Sequence, residues 1–136
     1  MFRLSIFLLA LLSFFSAVMS APIPEPVTVE IELEKRTTHT GRGTFYYVGL
    51  GNCGWTNTNS EHVVAMSKAF YDVNKGGNCG QTLTITWGGK TETATMVDSC
   101  PGCGYYDLDM SPSLFQKFAA ESVGVLNGVN WHFNAK

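Results

Sequence analysis

The sequence predicts one small, mainly β domain, a β-barrel with one or two short helices, behind an N-terminal leader. Short runs that alternate polar and apolar residues are separated by glycine-rich turns. The segment from Leu114 to Phe118 instead carries apolar residues at helical spacing. Every glycine, tryptophan, tyrosine and cysteine lies within residues 37–136, a length that suits a single domain.

The predicted elements follow one another along residues 37–136. They are a β-rich run at 43–48, a strand and a helical turn within 61–71, strands at 82–87 and 91–97, a helix after Ser111-Pro112 and a last strand at 129–133. Gly88-Gly89 is a typical two-residue hairpin connection. Ser111 followed by Pro112 is typical of a helix start, with Ser111 as the N-cap. His39 precedes the first predicted strand, and we expect it in solvent.

Residues 1–20 are predicted to be a signal peptide. Arg3 is followed by an apolar run at 4–12, and small or modest residues precede a cleavage point after Ser20. The apolar stretch falls short of the about 20 residues that a membrane-spanning helix needs. We therefore expect a secreted, extracellular protein with no membrane association.

Residues 21–36 are interpreted as a propeptide. Three prolines disfavour an early helix, and the segment ends in Lys35-Arg36, which resembles the dibasic site of fungal processing proteases. The secreted form is then expected to start at Thr37. A retained N-terminal tail is the alternative.

The charge of residues 37–136 is close to neutral, with six Lys and Arg against seven Asp and Glu. Binding to nucleic acid or to an anionic membrane depends on clustered basic residues. We therefore expect neither partner, and we expect a monomer.

The four cysteines predict two disulfides. An even number in a secreted domain favours full pairing, and three pairings are open for Cys53, Cys79, Cys100 and Cys103. Zinc is disfavoured because only one close Cys pair exists, so no metal is expected. A thioredoxin-like role is disfavoured because no βαβ pattern surrounds the C-x-x-C. No nucleotide-type glycine loop is present, so no cofactor is expected.

Several short motifs occur in an order that resembles a known superfamily. They are Gly43-Thr44-Phe45-Tyr46-Tyr47, Cys53-Gly54-Trp55, Asn78-Cys79-Gly80, Met96-Val97-Asp98-Ser99-Cys100-Pro101 and Asp107-Leu108-Asp109-Met110-Ser111-Pro112. Together they resemble the double-psi β-barrel domain of expansins, barwin and rare-lipoprotein-A-like proteins, over about residues 40–134. Small secreted members include loosenin-like proteins, proteins labelled riboflavin-aldehyde-forming enzyme and a bacterial papain inhibitor. The resemblance implies a six-stranded double-psi β-barrel, with Cys53 paired to Cys79 and Cys100 to Cys103.

The resemblance also implies a ligand groove. Asp109 matches the aspartate that expansins need and that family-45 endoglucanases use as general acid, Asp98 matches a second groove aspartate, and Thr44 a groove threonine. Glycoside hydrolysis usually needs two carboxylates, and the endoglucanase base comes from just after the first strand. Residues 37–60 contain no Asp or Glu. We therefore expect a binding protein rather than a hydrolase, with lytic action by Asp98 and Asp109 as the alternative.

Aromatic side chains are the candidates for stacking on sugar rings. Strand alternation allows Tyr46 or Tyr47, but not both, to face the groove, and Tyr105 and Tyr106 lie in the loop before Asp109. The expected ligand is a cell-wall polysaccharide (cellulose, chitin or peptidoglycan), bound or loosened around Asp109. The alternative is a secreted cysteine-protease inhibitor or a host-directed effector.

Overall fold

The computed structural model describes residues 37–136, so the predicted signal peptide and propeptide lie outside the described residues. The elements are β1 (His39–Phe45), β2 (Val63–Ser67), α1 (Lys68–Val73), β3 (Thr82–Trp87), β4 (Lys90–Cys100), β5 (Leu108–Met110), α2 (Pro112–Phe118), a 3-10 helix (Glu121–Val123) and β6 (Leu126–Phe133). No helix in this part of the chain is both long and apolar enough to cross a bilayer.

The six strands close into a barrel in the order β1-β5-β2-β4-β3-β6. The pairs β1–β5 and β2–β4 are parallel, and the other four pairs are antiparallel. Each strand therefore has a neighbour on both sides, and the sheet has no free edge. This confirms the predicted six-stranded barrel with short helices.

The hairpin between β3 and β4 follows the predicted turn. Gly88 and Gly89 have φ of 58° and 75°, and a two-residue turn of this type needs positive φ at both central positions. The last strand was predicted too short, because it starts at Leu126 rather than at 129. Gly128, with φ of 73°, is an extra residue opposite β1, and this bulge interrupts the alternation from which the strand was read.

The interior of the barrel is filled by side chains from five strands and both helices. They are Val64, Met66, Phe70, Leu83, Ile85, Ala94, Met96, Leu108, Met110, Leu114, Phe115, Phe118, Leu126, Val129, Trp131 and Phe133. Phe45 of β1 packs against this core. The predicted apolar stripe of α2 is thus the face that covers the barrel.

Ser111 lies at the N-cap position of α2, as predicted, but its side chain does not cap the helix. Its hydroxyl donates to the carbonyl oxygen of Glu61 over 2.5 Å and lies 3.4 Å from the amide nitrogen of Val63, which donates to it. Ser111 therefore ties the start of α2 to the segment that enters β2.

Two disulfides join Cys53 to Cys79 and Cys100 to Cys103, which confirms the pairing that the resemblance implies. The first links the loop after β1 to the turn before β3 and packs against the core. The second closes a four-residue turn at the end of β4.

Candidate functional site

A row of four residues crosses four neighbouring strands on the outside of the barrel. Thr44 of β1 pairs with Asp109 of β5, Asp109 pairs with Ala65 of β2, and Ala65 pairs with Asp98 of β4. We call these four residues the aspartate row. Because paired residues on adjacent strands lie side by side, the row places two carboxylates on either side of one small side chain.

Strand alternation explains why the middle of this row faces outward. Asp109 stands between Leu108 and Met110, which are both fully buried in the core, so its side chain takes the opposite side of β5. Ala65 stands in the same way between two core residues of β2. It is 2% exposed yet lies outside the core cluster, so its methyl group lies between the two aspartates and is itself covered.

Asp98 reaches the outer face through a β-bulge. In a regular strand Asp98 would point to the same side as Met96, which is buried in the core. Along β2, however, Val64 pairs with Met96 and the next residue, Ala65, already pairs with Asp98, so Val97 is an extra residue. A bulge of this kind re-aims the side chain that follows it, and here it turns a carboxylate from the core to the surface.

The loop after β1 holds the bulge in place. The backbone amides of Asn52 and Ser99 donate to Oδ1 of Asp98 over 2.8 and 2.7 Å, and the Cys53 amide donates to the Val97 carbonyl over 3.2 Å. A Cβ atom on Gly51 would lie 2.4 Å from that carbonyl oxygen. Only a glycine lets the loop approach β4 this closely.

Replacing Gly51 with alanine is therefore expected to destabilise the protein by about 1–2 kcal/mol, because the new methyl group must displace the bulge or the loop. The amide of Asn52 should then exchange its hydrogen faster, since its bond to Asp98 is disturbed. Urea unfolding and hydrogen exchange measure both effects. Gly49→Ala is the control, because a Cβ atom there meets nothing within 4 Å. Equal unfolding midpoints for the two variants would contradict the role given to Gly51.

Asp109 has a partly desolvated carboxyl group. Thr44 donates its hydroxyl hydrogen to Oδ1 of Asp109 over 2.8 Å. Burial raises the pKa of Asp109, the hydrogen bond from Thr44 opposes this, and the charge of Asp98 adds to the rise. The net effect is a pKa above the usual range for Asp, so this group holds a proton more readily than an exposed carboxyl does.

Tyr46, and not Tyr47, lies beside the two aspartates. Burial first, and then the charges of Asp98 and Asp109, raise the pKa of the Tyr46 hydroxyl, so this group stays protonated. Its oxygen is buried. Tyr47 is 72% exposed and points away, with its ring edge-on to Phe45.

The two tyrosines of the predicted stacking loop are about two-fifths exposed. Tyr106 stacks on His39 at 4.6 Å between ring centroids, and Tyr105 packs against Phe70 at 5.4 Å. The expectation that His39 lies in solvent is wrong: it belongs to β1, is 5% exposed and also contacts the Trp131 ring at 4.5 Å. Each of the two tyrosines thus exposes part of its ring to solvent, while the rest of the ring packs on the domain.

Asp107 anchors this loop to β1. Its carboxylate accepts hydrogen bonds from the backbone amide, Nε and Nη2 of Arg42 over 2.8, 3.1 and 2.8 Å, and from the Gly104 amide over 2.9 Å. Burial alone would raise the pKa of Asp107, but these donors and the Arg42 charge outweigh it and lower the pKa. Asp107 is thus engaged within the fold, whereas Asp109 lies in the aspartate row on the outer side of β5.

The second disulfide borders the aspartate row. The sulfur atoms of Cys100 and Cys103 and a carboxylate oxygen of Asp109 all lie within 4.8 Å of one another. The two sulfurs are bonded to each other, so they do not provide thiolate ligands for a metal ion. The site therefore combines two carboxylates, a hydroxyl, a phenol and a disulfide.

Sequence reasoning named Thr44, Tyr46, Asp98 and Asp109, and the structure brings these four together. It did not name Ala65, Gly51 or Asn52, which shape the site through a small side chain, a close approach and a backbone amide. Ala65 could have been found from the sequence, because it is the one small residue in the apolar run 63–66 of β2.

No family model matches the chain. Among curated proteins, it is 30% identical over 114 residues to a papain inhibitor of Streptomyces mobaraensis, covering 79% of this chain and 78% of the inhibitor. It is 45% identical over 84 residues to the allergen Asp f 7 of Aspergillus fumigatus, covering 61% of this chain and 30% of the allergen. The chain thus spans about a third of the length of that allergen. An expansin-like protein 1 of Dictyostelium discoideum is 30% identical over 106 residues, which cover 68% of this chain and 36% of that protein.

Solved structures show the same barrel. The Streptomyces papain inhibitor superposes with a TM-score of 0.66 at 30% identity, over 74% of this chain and 96% of the inhibitor. An expansin of Clavibacter michiganensis, solved in complex with cellohexaose, superposes with a TM-score of 0.65 at 24% identity, over 73% of this chain and 51% of the expansin. The second match shows the fold alone. The first, together with the sequence identity across most of the inhibitor, shows that this chain belongs to the double-psi β-barrel family that includes the Streptomyces papain inhibitor and the expansin-like proteins.

Proposed function

We propose that this protein is a secreted, non-catalytic, expansin-like protein that binds or loosens cell-wall polysaccharide in the groove around Asp109. The observation that supports this most is the aspartate row, which sets Asp98 and Asp109 on either side of Ala65. The expansin with the same barrel was solved with cellohexaose. The predicted leader and the two disulfides support secretion.

The chemistry of the row suits a chain of sugar rings. Carboxylate oxygens accept hydrogen bonds from hydroxyl groups, and such charge-assisted bonds are about twice as strong as neutral ones. The outward parts of Tyr105 and Tyr106 offer aromatic surface in the neighbouring loop.

The arrangement of the carboxylates favours binding of the polysaccharide without cleavage. The Oδ1 atom of Asp98 already accepts two backbone amides, so the fold orients this group as an acceptor. The stretch from 37 to 60, where related endoglucanases carry their base, has no Asp or Glu. Release of reducing sugar by the wild-type protein would overturn the non-catalytic part of the proposal.

Sedimentation with insoluble cellulose, chitin and peptidoglycan tests the groove. Asp109→Asn is expected to weaken binding about tenfold, because a charge-assisted hydrogen bond is lost. Ala65→Leu should weaken it as well, because the larger side chain must displace the groups that cover Ala65. Asp72→Asn is the matched control, since Asp72 is exposed on α1 and pairs with Lys68. Wild-type binding per folded molecule by both Asp109→Asn and Ala65→Leu would contradict the groove assignment.

Inhibition of a cysteine protease is the second candidate, and the relation to the papain inhibitor favours it. A protease inhibitor needs a rigid exposed loop, and Pro101 and Gly102 are exposed in the turn that the second disulfide closes. A papain assay run beside the sedimentation experiment separates the two functions. Inhibition that survives Asp109→Asn, with no retention on any of the three polysaccharides, would favour this candidate over the first. A host-directed effector would show neither activity.

A further inference from the structure

The disulfide between Cys100 and Cys103 is placed where it can react. Its two sulfur atoms lie within 4.8 Å of a carboxylate oxygen of Asp109, and the turn between them lies on the protein surface. We propose that Cys100–Cys103 is a thiol–disulfide exchange site that passes its disulfide to thiols of another molecule, with Asp109 as the neighbouring proton carrier. This activity goes beyond polysaccharide binding and does not depend on it.

The fold does not need this disulfide to position the loop that follows. Asp107 is held by Arg42 and Gly104 through four hydrogen bonds. The Trp131 indole donates to the carbonyl oxygen of Tyr106 over 2.8 Å. Because these contacts fix the loop downstream, the disulfide constrains little more than the Pro101-Gly102 turn, and opening it leaves the barrel intact.

The turn that this disulfide closes is exposed to solvent. Pro101 and Gly102 are exposed, and a Cβ atom on Gly102 would meet nothing within 4 Å. The other disulfide is covered differently. Cys53 and Cys79 pack against the core, with the Cys53 sulfur 3.6 Å from the Met96 sulfur and the Cys79 sulfur 3.9 Å from the Tyr71 hydroxyl. All four cysteines are of intermediate exposure, so the two disulfides differ in their surroundings: Cys53–Cys79 packs against the core, whereas Cys100–Cys103 spans an exposed turn. Exchange needs in-line approach of a thiolate, and we expect the disulfide of the exposed turn to allow it more readily.

The reaction balances with two thiols as the reductant. One external thiol loses its proton and attacks Cys103, forming a mixed disulfide while the bond to Cys100 breaks and Cys100 leaves as a thiolate. A second external thiol then attacks the mixed disulfide and releases Cys103. The net change is two cysteine thiols in the protein and one disulfide between the external sulfurs. Cys103 is the sulfur attacked first, because it lies in the loop, whereas Cys100 is fixed in β4 opposite Ser67.

Asp109 suits the proton transfer in this scheme. A carboxyl group next to both sulfurs can take up the proton of the incoming thiol and give it to the leaving Cys100. The other groups around Asp109 are Thr44, which donates to it, and Asp98 and Tyr46, which lie beside it. Burial keeps the pKa of Asp109 above its usual range, which brings the group closer to the pH at which thiols exchange.

The first test measures exchange in the folded protein. Wild-type protein is exposed to reduced glutathione at pH 7, quenched with acid, alkylated and mapped by mass spectrometry. Cys100–Cys103 is expected to open at least about tenfold faster than Cys53–Cys79, which serves as the internal control. Equal or slower opening would overturn the proposal.

The second test addresses the roles of the individual residues. Asp109→Asn should slow the opening of Cys100–Cys103 by glutathione at pH 7 about three- to tenfold, because the group that carries the proton is lost. Asp72→Asn should leave the rate of opening unchanged. In wild-type protein quenched during its reduction by glutathione, the mixed disulfide should be found on Cys103 rather than on Cys100. An unchanged rate in Asp109→Asn would remove Asp109 from the scheme, and a glutathione adduct found mainly on Cys100 of the quenched wild-type protein would reverse the order of attack.

Discussion

Replacing Cys53 and Cys79 together with alanine is expected to lower the free energy of unfolding by about 3–4 kcal/mol. The disulfide joins residues 26 apart in sequence, and in the chain-entropy model a loop of this length restricts the unfolded chain by about that amount. It also links the loop that carries Gly51 and Asn52 to the turn before β3. Reversible urea unfolding of the wild-type and double-variant proteins measures the difference.

The double variant Cys100→Ala/Cys103→Ala is the control for this prediction. The ring that it opens contains four residues, for which the same relation gives about 2 kcal/mol or less. The contacts of Asp107 and Tyr106 continue to hold the loop. Equal losses in the two double variants would show that loop length does not govern the contribution of these disulfides.

Asp107→Asn is expected to destabilise the protein by about 2–3 kcal/mol at pH 7, and Asp109→Asn to leave its stability unchanged or slightly increased. The carboxylate of Asp107 accepts four hydrogen bonds, and its side chain is 14% exposed. Hydrogen bonds to a charged group contribute about 1.5–3 kcal/mol. For a domain of this size, the loss of Asp107 should lower the melting temperature by about 10 °C or more.

The pH dependence of the two variants should have opposite signs. The folded protein lowers the pKa of Asp107, so this residue stabilises the fold above its unfolded pKa of about 3.9, and the contribution is lost as pH falls through the folded value. The folded protein raises the pKa of Asp109, so its contribution is present below the unfolded pKa and is lost as pH rises through the folded value.

Thermal melts between pH 2 and 7 compare these two expectations. The gap between wild type and Asp107→Asn should close toward pH 2. Any advantage of Asp109→Asn should be greatest near pH 7 and disappear near pH 3. A melting temperature for Asp109→Asn that lies well below that of Asp107→Asn at pH 7 would mean that Asp109, rather than Asp107, is the structural carboxylate.

Local sequence patterns were enough to predict most of the strands and helices. Strand β3 coincides with its predicted range because its polar and apolar residues alternate without interruption. The turn at Gly88-Gly89 and the start of α2 at Pro112 follow from backbone preferences that act within a few residues. The prediction for His39 was wrong, because the partners that bury it, Tyr106 and Trp131, are distant in sequence.

The sequence by itself determined a mainly β barrel and singled out Asp98 and Asp109, because each depends on a local pattern or a contiguous motif. Only the tertiary structure decided which way Asp98 points. Alternation along β4 places Asp98 with Met96 in the core, and the bulge at Val97 reverses this. That bulge depends on the pairing with β2 and on the close approach of Gly51. Both involve residues more than 30 positions away in sequence, so the sequence of β4 alone could not have predicted the bulge. The same holds for the disulfide beside Asp109, because the parallel pairing of β2 with β4 and its antiparallel pairing with β5 bring the two together.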